Sequence, residues 1–155
     1  MNSNTLLQIG ADKAAVTMAH GQGGPFGAVI TYKGKVIAVS SNSVLASHDP
    51  TAHAEVNAIR EAGRVLGTHD LSDCEIYATG APCPMCMSAI IWSNMKKVYI
   101  SGTYEQAERI GFRDQFIYDF IKGECKDKKV LDMEYCDSSI AEELYKEYEQ
   151  SGEIY

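Results

Sequence analysis

The residue types best suited to metal chemistry fall in two short segments of the chain. The first is His53-Ala54-Glu55, and the second is Pro82-Cys83-Pro84-Met85-Cys86. Zinc prefers nitrogen and sulfur ligands in a tetrahedron, and a site with three protein ligands leaves a fourth position for water. His53, Cys83 and Cys86 would supply such a set. The segments therefore predict a catalytic zinc site rather than a closed structural one.

A carboxylate accompanies the candidate ligands. Glu55 lies two residues after His53, so on a helix its side chain does not share the direction of the histidine. It could lie beside the ligands, where a carboxylate can take a proton from water and return it to a ring nitrogen and a leaving amine. Zinc lowers the pKa of water from about 15.7 toward about 7, so a nucleophile exists at neutral pH. Hydrolysis at an amine-bearing carbon is the predicted chemistry.

Three other interpretations of the same residues stay open at this point. A closed structural zinc site would need a fourth ligand, for which Cys74, His48 and His69 are available. A redox Cys-x-x-Cys motif would explain the two cysteines but would leave the histidine and the glutamate without a role. The third interpretation is coincidence, with no metal at all.

Both segments stand just after a loop, at the start of a predicted helix. Helical spacing of apolar residues predicts one helix that begins near Thr51, its expected N-cap, and ends at Gly67. A second helix is predicted over Pro84 to Asn94. Helix N-termini lower the pKa of nearby thiols, which favours the thiolates that bind metal.

The remaining pattern alternates strands with helices. Further helices are predicted over Thr5–His20, near Tyr104–Ile110, near Asp114–Ile121 and from Ser138, and strands over Phe26–Tyr32, Lys35–Ser40, Cys74–Thr79, Val98–Ser101 and near Lys129–Tyr135. Lys33-Gly34 predicts a tight hairpin turn, and residues 41–50 predict a loop. This alternation predicts an α/β fold in which helices cover the faces of a sheet, within one domain over residues 1–155.

Composition and cysteine usage indicate where such a protein would work. The chain has 155 residues, of which 45% are hydrophobic and 23% charged, as in ordinary globular domains. No stretch reaches the about 18 apolar residues of a membrane helix, and Met1–Thr5 lack the features of a secretory signal. The cysteine count of five is odd, which argues against a disulfide framework, so Cys74, Cys125 and Cys136 are interpreted as ordinary thiols. A reducing, cytoplasmic location is predicted.

The charge balance bears on the choice of partner. The formal net charge is −7, and Lys146 is the only base between Asp132 and Glu153. The nearest basic run, Lys126–Lys129, is short and contains an acid. Because a phosphate backbone is repelled by an acidic surface, a small-molecule substrate is favoured over nucleic acid.

With these residues in hand, the chain resembles the cytidine deaminase superfamily and, within it, the compact bacterial guanine deaminases. His-x-Glu followed by Pro-Cys-x-x-Cys is the signature of the zinc deaminases. The supporting stretches are Gly23–Ile30, Asp49–Val56, Ala58–Arg60, Pro82–Cys86 and Gly111–Tyr118. The last stretch resembles guanine deaminases more than tRNA adenosine deaminases.

The resemblance implies a three-layer α/β/α sandwich with a central mixed sheet and one zinc ion per chain. It implies His53, Cys83 and Cys86 as the ligands, Glu55 as the proton shuttle, and Asp114 as a second catalytic carboxylate that meets the polar edge of the ring. From the residue alone, Asp114 could equally be the cap of the helix that it begins.

The resemblance also implies five substrate contacts. Asn42 would hydrogen-bond the base, Phe26 and Trp92 would pack against its ring, and Ala54 and Tyr155 would complete the pocket. Considered singly, Asn42 could instead make an Asx turn, and the two aromatic residues could belong to the core.

The resemblance finally implies a homodimer that exchanges C-terminal segments, here residues 138–155. The alternative for this segment is a solvated surface helix. The family usually has a glutamate before the Pro-Cys pair, and Ala81 stands there instead. The implied reaction is hydrolysis of guanine to xanthine and ammonia. Other amino-substituted rings (isocytosine, ammeline, cytosine), tRNA adenosine and a non-catalytic zinc-stabilised binding module are the alternatives.

Overall fold

The structure is a computed structural model that describes residues 1–155. Its elements, in chain order, are α1 (Ser3–Ala19), β1 (Gly27–Tyr32), β2 (Lys35–Ser41), α2 (Val44–Ser47), α3 (Ala54–Leu66), β3 (Cys74–Gly80), α4 (Pro84–Trp92), β4 (Val98–Gly102), α5 (Tyr104–Arg109), α6 (Gln115–Lys122) and α7 (Ser139–Ser151). None of these helices is both long and apolar enough to cross a membrane.

The predicted hairpin is confirmed. Strands β1 and β2 pair antiparallel, and Tyr32 lies opposite Lys35. Between them Lys33 and Gly34 have φ values of 48° and 76°, so both turn residues are left-handed. Two left-handed residues are what a two-residue hairpin turn needs, and glycine takes that conformation without steric cost.

The four strands form one mixed sheet in the order β2-β1-β3-β4. Strand β1 is antiparallel to both of its neighbours, whereas β3 and β4 are parallel. Parallel neighbours need a crossover connection, and α4 provides it. Helix α4 therefore starts just beyond the carboxyl end of β3, and this places the Pro-Cys segment at that edge of the sheet.

Side chains from the two faces of the sheet enter separate apolar clusters. Ala28 and Ile30 of β1 pack with α3 and α4, whereas Val29 packs with Leu6 of α1 and with Tyr77. This alternation follows from the two-residue period of a strand. Helices thus cover both faces, and the predicted three-layer α/β/α sandwich with a mixed sheet is confirmed.

The chain divides into two compact units, Met1–Asp114 and Gln115–Tyr155. The first contains the sheet and helices α1 to α5, and the second contains α6 and α7. The prediction that residues 1–155 form one deaminase domain stays a prediction.

Three local predictions were wrong. The N-cap of α3 is His53, because Thr51 instead donates both its backbone N–H and its hydroxyl to Asp49. The expected loop over residues 41–50 contains α2, a single turn too short for periodicity to detect. The expected strand near Lys129–Tyr135 does not form, because Asp127 accepts the backbone N–H groups of Lys129 and Val130 in a turn.

Candidate active site

Two helix N-termini carry the candidate ligands. His53 is the N-cap of α3 and Cys83 is the N-cap of α4, both with extended backbone. Pro84 follows at the first position of α4, where its missing N–H costs no helix hydrogen bond. Cys86 lies in the first turn of the same helix. One imidazole and two thiols therefore lie at the N-termini of α3 and α4.

The three side chains form a cluster with zinc-like dimensions. His53 Nδ1 lies 3.6 Å from Cys83 Sγ and 3.5 Å from Cys86 Sγ. A tetrahedral zinc ion, with Zn–S of about 2.3 Å and Zn–N of about 2.1 Å, would hold nitrogen and sulfur about 3.6 Å apart. All the ligand atoms lie within 4.8 Å of one another. The donor set therefore fits zinc, with Nδ1 as the histidine ligand atom.

No fourth histidine, cysteine or carboxylate belongs to this cluster. Cys74, His48 and His69, the candidates for a closed structural site, all lie outside it. The cluster therefore has the three-ligand composition of catalytic zinc sites, which keep one position for water.

The two thiols interact through a hydrogen bond, which shifts their pKa values in opposite directions. The hydrogen bond from Cys86 lowers the pKa of Cys83 to about 4, and the same interaction raises the pKa of the Cys86 thiol. The Cys86 backbone N–H also donates to Cys83 Sγ over 3.5 Å. Cys83 in turn raises the pKa of His53, chiefly through their hydrogen bond. The site therefore stabilises at least one thiolate at neutral pH, and thiolate is the form that binds zinc.

Glu55 lies beside the cluster in the first turn of α3. Its side chain is only 7% exposed. Burial is the main cause that raises its pKa, while a hydrogen bond from the Cys86 thiol acts in the opposite direction. A carboxyl group that is both raised in pKa and next to a metal site is suited to accept and then release a proton.

Asp114 is the last residue of the first unit and interacts electrostatically with Cys83 of the cluster. Its pKa is raised, first by burial and then by the negative charge of Cys83. The structure thus brings a second carboxylate toward the thiols. Its contact with substrate stays a prediction.

Asn42 lies in the loop after β2 and is held by backbone on two sides. Its Oδ1 accepts the N–H of Gly24 over 3.2 Å and the N–H of Val44 over 3.1 Å. Its own backbone N–H donates to the carbonyl of Phe26 over 3.0 Å. The bond to Val44 is the Asx turn that was one interpretation of this residue, and it leaves the amide nitrogen free.

The predicted ring-packing residues have different surroundings. Phe26 is half-buried against the core and meets Phe112 edge to face, with ring centroids 4.9 Å apart. Trp92 ends α4 and is 72% exposed, about 9 Å along the helix axis from Cys86. Ala54 is fully buried next to His53. Tyr155 belongs to the second unit. The structure therefore places Ala54 next to the cluster, whereas Phe26 packs on the core and on Phe112, and Trp92 lies exposed at the far end of α4.

Two neighbours of the site were not found by sequence reasoning. The Tyr104 hydroxyl donates to the carbonyl of Pro82 over 2.8 Å, which braces the residue before Cys83. Nothing in the sequence signals this contact, because it joins α5 to a distant loop. The second neighbour is Phe112, which contacts Phe26. In the sequence, only its position within the Gly111–Tyr118 stretch pointed to a role for it.

Comparisons with known proteins agree with this geometry. The family model of the cytidine and deoxycytidylate deaminase zinc-binding region matches residues 3–102. A guanine deaminase from Bacillus subtilis (strain 168) is 48% identical over 118 residues, which is 76% of each chain. A tRNA-specific adenosine deaminase from Buchnera aphidicola subsp. Schizaphis graminum is 35% identical over 112 residues, 72% of this chain and 74% of that protein. The X-ray structure of a guanine deaminase from Bacillus subtilis superposes with a TM-score of 0.91 at 37% identity, covering 100% of this chain and 99% of that one.

Proposed function

The chain belongs to the zinc-dependent cytidine and deoxycytidylate deaminase family, and from this premise we propose that its substrate is guanine, hydrolysed to xanthine and ammonia. The reaction type follows from the family. The observation that carries it in this chain is the cluster in which one imidazole nitrogen lies 3.5–3.6 Å from two sulfurs. Guanine is proposed because the relative that is 48% identical is a guanine deaminase.

His53, Cys83 and Cys86 would hold the zinc ion, which supplies a Lewis acid that lowers the pKa of water to about 7. Glu55 accepts a proton from the attacking water and passes it to a ring nitrogen. Glu55 then takes the second proton of the former water from the hydroxyl on the ring carbon and delivers it to the amine, so the C–N bond breaks, ammonia leaves, and the oxygen remains as the new carbonyl. Burial of Glu55 supports this role, because burial raises the pKa of its carboxyl group and so makes it a better proton acceptor.

The remaining proposals concern contacts with the ring itself. Phe26 is proposed to pack on one face of the base, with Ala54 beside it, and Asn42 to donate a hydrogen bond. Asp114 is proposed to accept from the N–H groups at the polar edge of guanine, which is supported by its electrostatic coupling to Cys83. Trp92, exposed in one chain, is proposed as a ring contact that needs a second chain.

A homodimer with exchanged C-terminal segments is the proposed assembly. Helix α7 has an apolar stripe formed by Ile140, Leu144, Tyr145 and Tyr148, and all four side chains are exposed. Exposed apolar stripes of this kind mark interaction surfaces. In a domain-swapped dimer, residues 138–155 of one chain would cover the other chain, and Tyr155 would reach its substrate.

A cytoplasmic location is proposed from the cysteines. All five are free thiols, and two of them belong to the metal cluster. Thiols of this kind persist in a reducing compartment, whereas an oxidising one would couple the cluster pair into a disulfide.

The test is ammonia release from zinc-loaded protein supplied separately with guanine, isocytosine, ammeline, cytosine and adenine. We expect rapid release from guanine and none from adenine. Release from another ring alone would reject guanine and retain the hydrolytic chemistry, and Ala81 would then be the first residue to exchange for glutamate. No release from any ring, with one zinc bound per chain, would favour a non-catalytic binding module.

Deamination of tRNA adenosine is the second candidate, because a tRNA-specific adenosine deaminase is 35% identical to this chain. The net charge of −7 opposes it. We expect no inosine in a tRNA transcript incubated with the protein. Inosine formation that is lost with added salt would establish the RNA substrate.

A further inference from the structure

The segment between β3 and α4 has few backbone donors with which to hold its own conformation. Cys83 stands between Pro82 and Pro84, neither of which has a backbone N–H. A residue that precedes proline is also confined to extended backbone, and Cys83 accordingly has φ −65° and ψ 168°. The position of this ligand therefore depends on contacts that hold its neighbours from outside the segment.

Two hydrogen bonds from β4 and α5 hold the residues that precede Cys83. Ala81 donates its backbone N–H to the carbonyl of Gly102 over 2.9 Å. The Tyr104 hydroxyl donates to the carbonyl of Pro82 over 2.8 Å. The side chain of Pro82 is itself fully buried. Both residues before the ligand are thus tied to the adjoining strand and helix.

The hydrogen bond from Tyr104 acts on the peptide unit that carries the ligand. A peptide bond is planar, so the carbonyl oxygen of Pro82 lies in one plane with the N and Cα atoms of Cys83. A hydroxyl that fixes this oxygen restrains the whole plane, including the Cα atom from which the sulfur projects. Cys83 Sγ lies 3.6 Å from His53 Nδ1 and accepts the Cys86 N–H over 3.5 Å. One rigid peptide unit therefore connects the hydroxyl to the cluster.

Helix α5 fixes Tyr104 from its N-terminal end. The Thr103 hydroxyl accepts the backbone N–H of Gln106 over 3.2 Å, and Gln106 Oε1 accepts the N–H of Thr103 over 2.8 Å. This reciprocal pair is a capping box, which satisfies two backbone donors that a helix start leaves open. Tyr104 is the first residue of the helix, so the cap sets the point from which its side chain extends.

The other end of α5 is anchored as well. Gly111 has a φ of 101° and donates its N–H to the carbonyl of Glu108, while Phe112 donates its N–H to that of Ala107. This pair of bonds around a left-handed glycine is a Schellman motif, which ends a helix. The Phe112 ring then meets Phe26 edge to face, with centroids 4.9 Å apart. Contacts at both ends therefore fix the place of α5 within the first unit.

We propose that Tyr104 is a positioning residue of the metal site, whose hydroxyl holds the Pro82–Cys83 peptide unit and so keeps the Cys83 sulfur directed at the metal. It acts on the metal through the backbone. The inference rests on the proposed function only in taking zinc as the metal that His53, Cys83 and Cys86 hold. Tyr104 is 37% exposed, so removal of its hydroxyl leaves the apolar core unchanged.

Zinc affinity of the full chain, measured by competition with a chromogenic chelator, tests the role of the hydroxyl. Groups that orient a metal ligand typically contribute about 10–100-fold to affinity, and we expect a loss of that size in Tyr104→Phe. The control is Tyr77→Phe, which removes a hydroxyl that donates to Glu75 over 3.0 Å in the same unit. It should keep wild-type affinity. Equal affinity in all three proteins would overturn the proposal.

Cobalt(II) in place of zinc separates positioning from a general loss of stability. The thiolate-to-cobalt charge-transfer absorption depends on the direction from which each sulfur approaches the metal. At saturating cobalt, we expect this absorption to be altered in Tyr104→Phe and unchanged in Tyr77→Phe. A wild-type spectrum in Tyr104→Phe would refute the inference, because the hydroxyl would then stabilise the fold without directing the sulfur.

The cap of α5 offers a rescue experiment. Thr103→Ala removes the hydroxyl that accepts the Gln106 N–H, so zinc affinity should fall, although by less than in Tyr104→Phe. Thr103→Ser keeps a capping hydroxyl and should restore the wild-type affinity. The same affinity in the alanine and serine variants would contradict the role given to α5.

These measurements need no substrate. A wild type that binds one zinc but releases no ammonia from guanine would reject the proposed substrate alone, and the affinities and cobalt spectra would still decide the role of Tyr104.

Discussion

Residues 1–114 and 115–155 differ in what they bury. Every buried residue lies in the first region, the last of them being Met95. The second region has none, and its helix α7 presents large apolar side chains such as Ile140 and Leu144 to the outside. The first region thus contains its own core and the metal cluster. The second has no buried residue, and its exposed apolar side chains are those that the proposed exchange of C-terminal segments would cover.

The two regions also differ in charge. Residues 115–155 hold eleven of the 21 acidic and five of the 14 basic side chains, so they account for −6 of the net charge of −7. The region with the cluster is close to neutral. Repulsion of nucleic acid by this chain would therefore come mainly from the second region, and this makes the tRNA assay more informative than the total charge suggests.

The largest expected effect separates cysteines of the two regions. Cys86→Ala removes one of three ligands, so the protein should lose its zinc and more than about a thousandfold of its activity. Cys136→Ala, an exposed thiol of the second region, should keep both. Metal analysis of the two purified variants makes the comparison. Equal zinc content in both would remove Cys86 from the ligand set.

Next in size is Glu55→Gln. The amide preserves the shape of the side chain but cannot carry a proton, so kcat should fall by about 10²–10⁴-fold while one zinc remains bound. Steady-state kinetics with metal analysis measures this. Retention of wild-type kcat would refute the proton-transfer role, and loss of zinc would indicate a structural one.

The free energy of unfolding that is lost when an apolar side chain is truncated should differ between the two regions by a few kcal/mol. Ile76→Ala empties a fully buried position in β3, so the free energy of unfolding should fall by about 2–5 kcal/mol. Leu144→Ala changes a side chain that is 65% exposed, so unfolding of the monomer should change by less than about 0.5 kcal/mol. Urea titrations at low protein concentration give both values. A weaker dimer in Leu144→Ala, seen by sedimentation, would support the proposed interface, and a cost equal to that of Ile76→Ala would disprove the contrast.

The smallest effect concerns alkaline stability of the first region. Burial, followed by the nearby Glu75, raises the pKa of Tyr77 to about 12. A folded-state pKa above the unfolded one means that the stabilisation is complete below about pH 10 and is lost as the pH rises through 12. Tyr77→Phe should therefore lose less stability than the wild type between those pH values. Parallel losses in the two proteins would argue against the shift.

The parts of the site that could be predicted from the sequence are those whose residues lie close together in the chain. His53, Glu55 and the two cysteines stand within short motifs at helix starts, and periodicity located those helices. The predicted N-cap of α3 was wrong because Thr51 donates its backbone N–H and its hydroxyl to Asp49. The sequence pattern of a helix start does not show such hydrogen bonds. The strand expected near Lys129–Tyr135 has β-rich residues, but strand propensity counts for little when no sheet edge is available.

Other features depend on tertiary contact and leave no sequence pattern. The N–H of Gly24 donates to Asn42 Oδ1, and Gly23 lies close against the Asn42 carbonyl. These contacts join segments on either side of the β1–β2 hairpin. The hydroxyl of Tyr104 reaches Pro82 from a different helix. Only the folded backbone brings these groups together, so sequence reasoning could name Asn42 through resemblance but could not say which way its amide points.

Hydrolytic deamination is tested most directly by running the reaction with guanine in ¹⁸O-labelled water and measuring the mass of the product by mass spectrometry. We expect xanthine that carries one labelled oxygen, formed together with one ammonia. Xanthine without the label, or an absence of product from fully zinc-loaded protein, would contradict it.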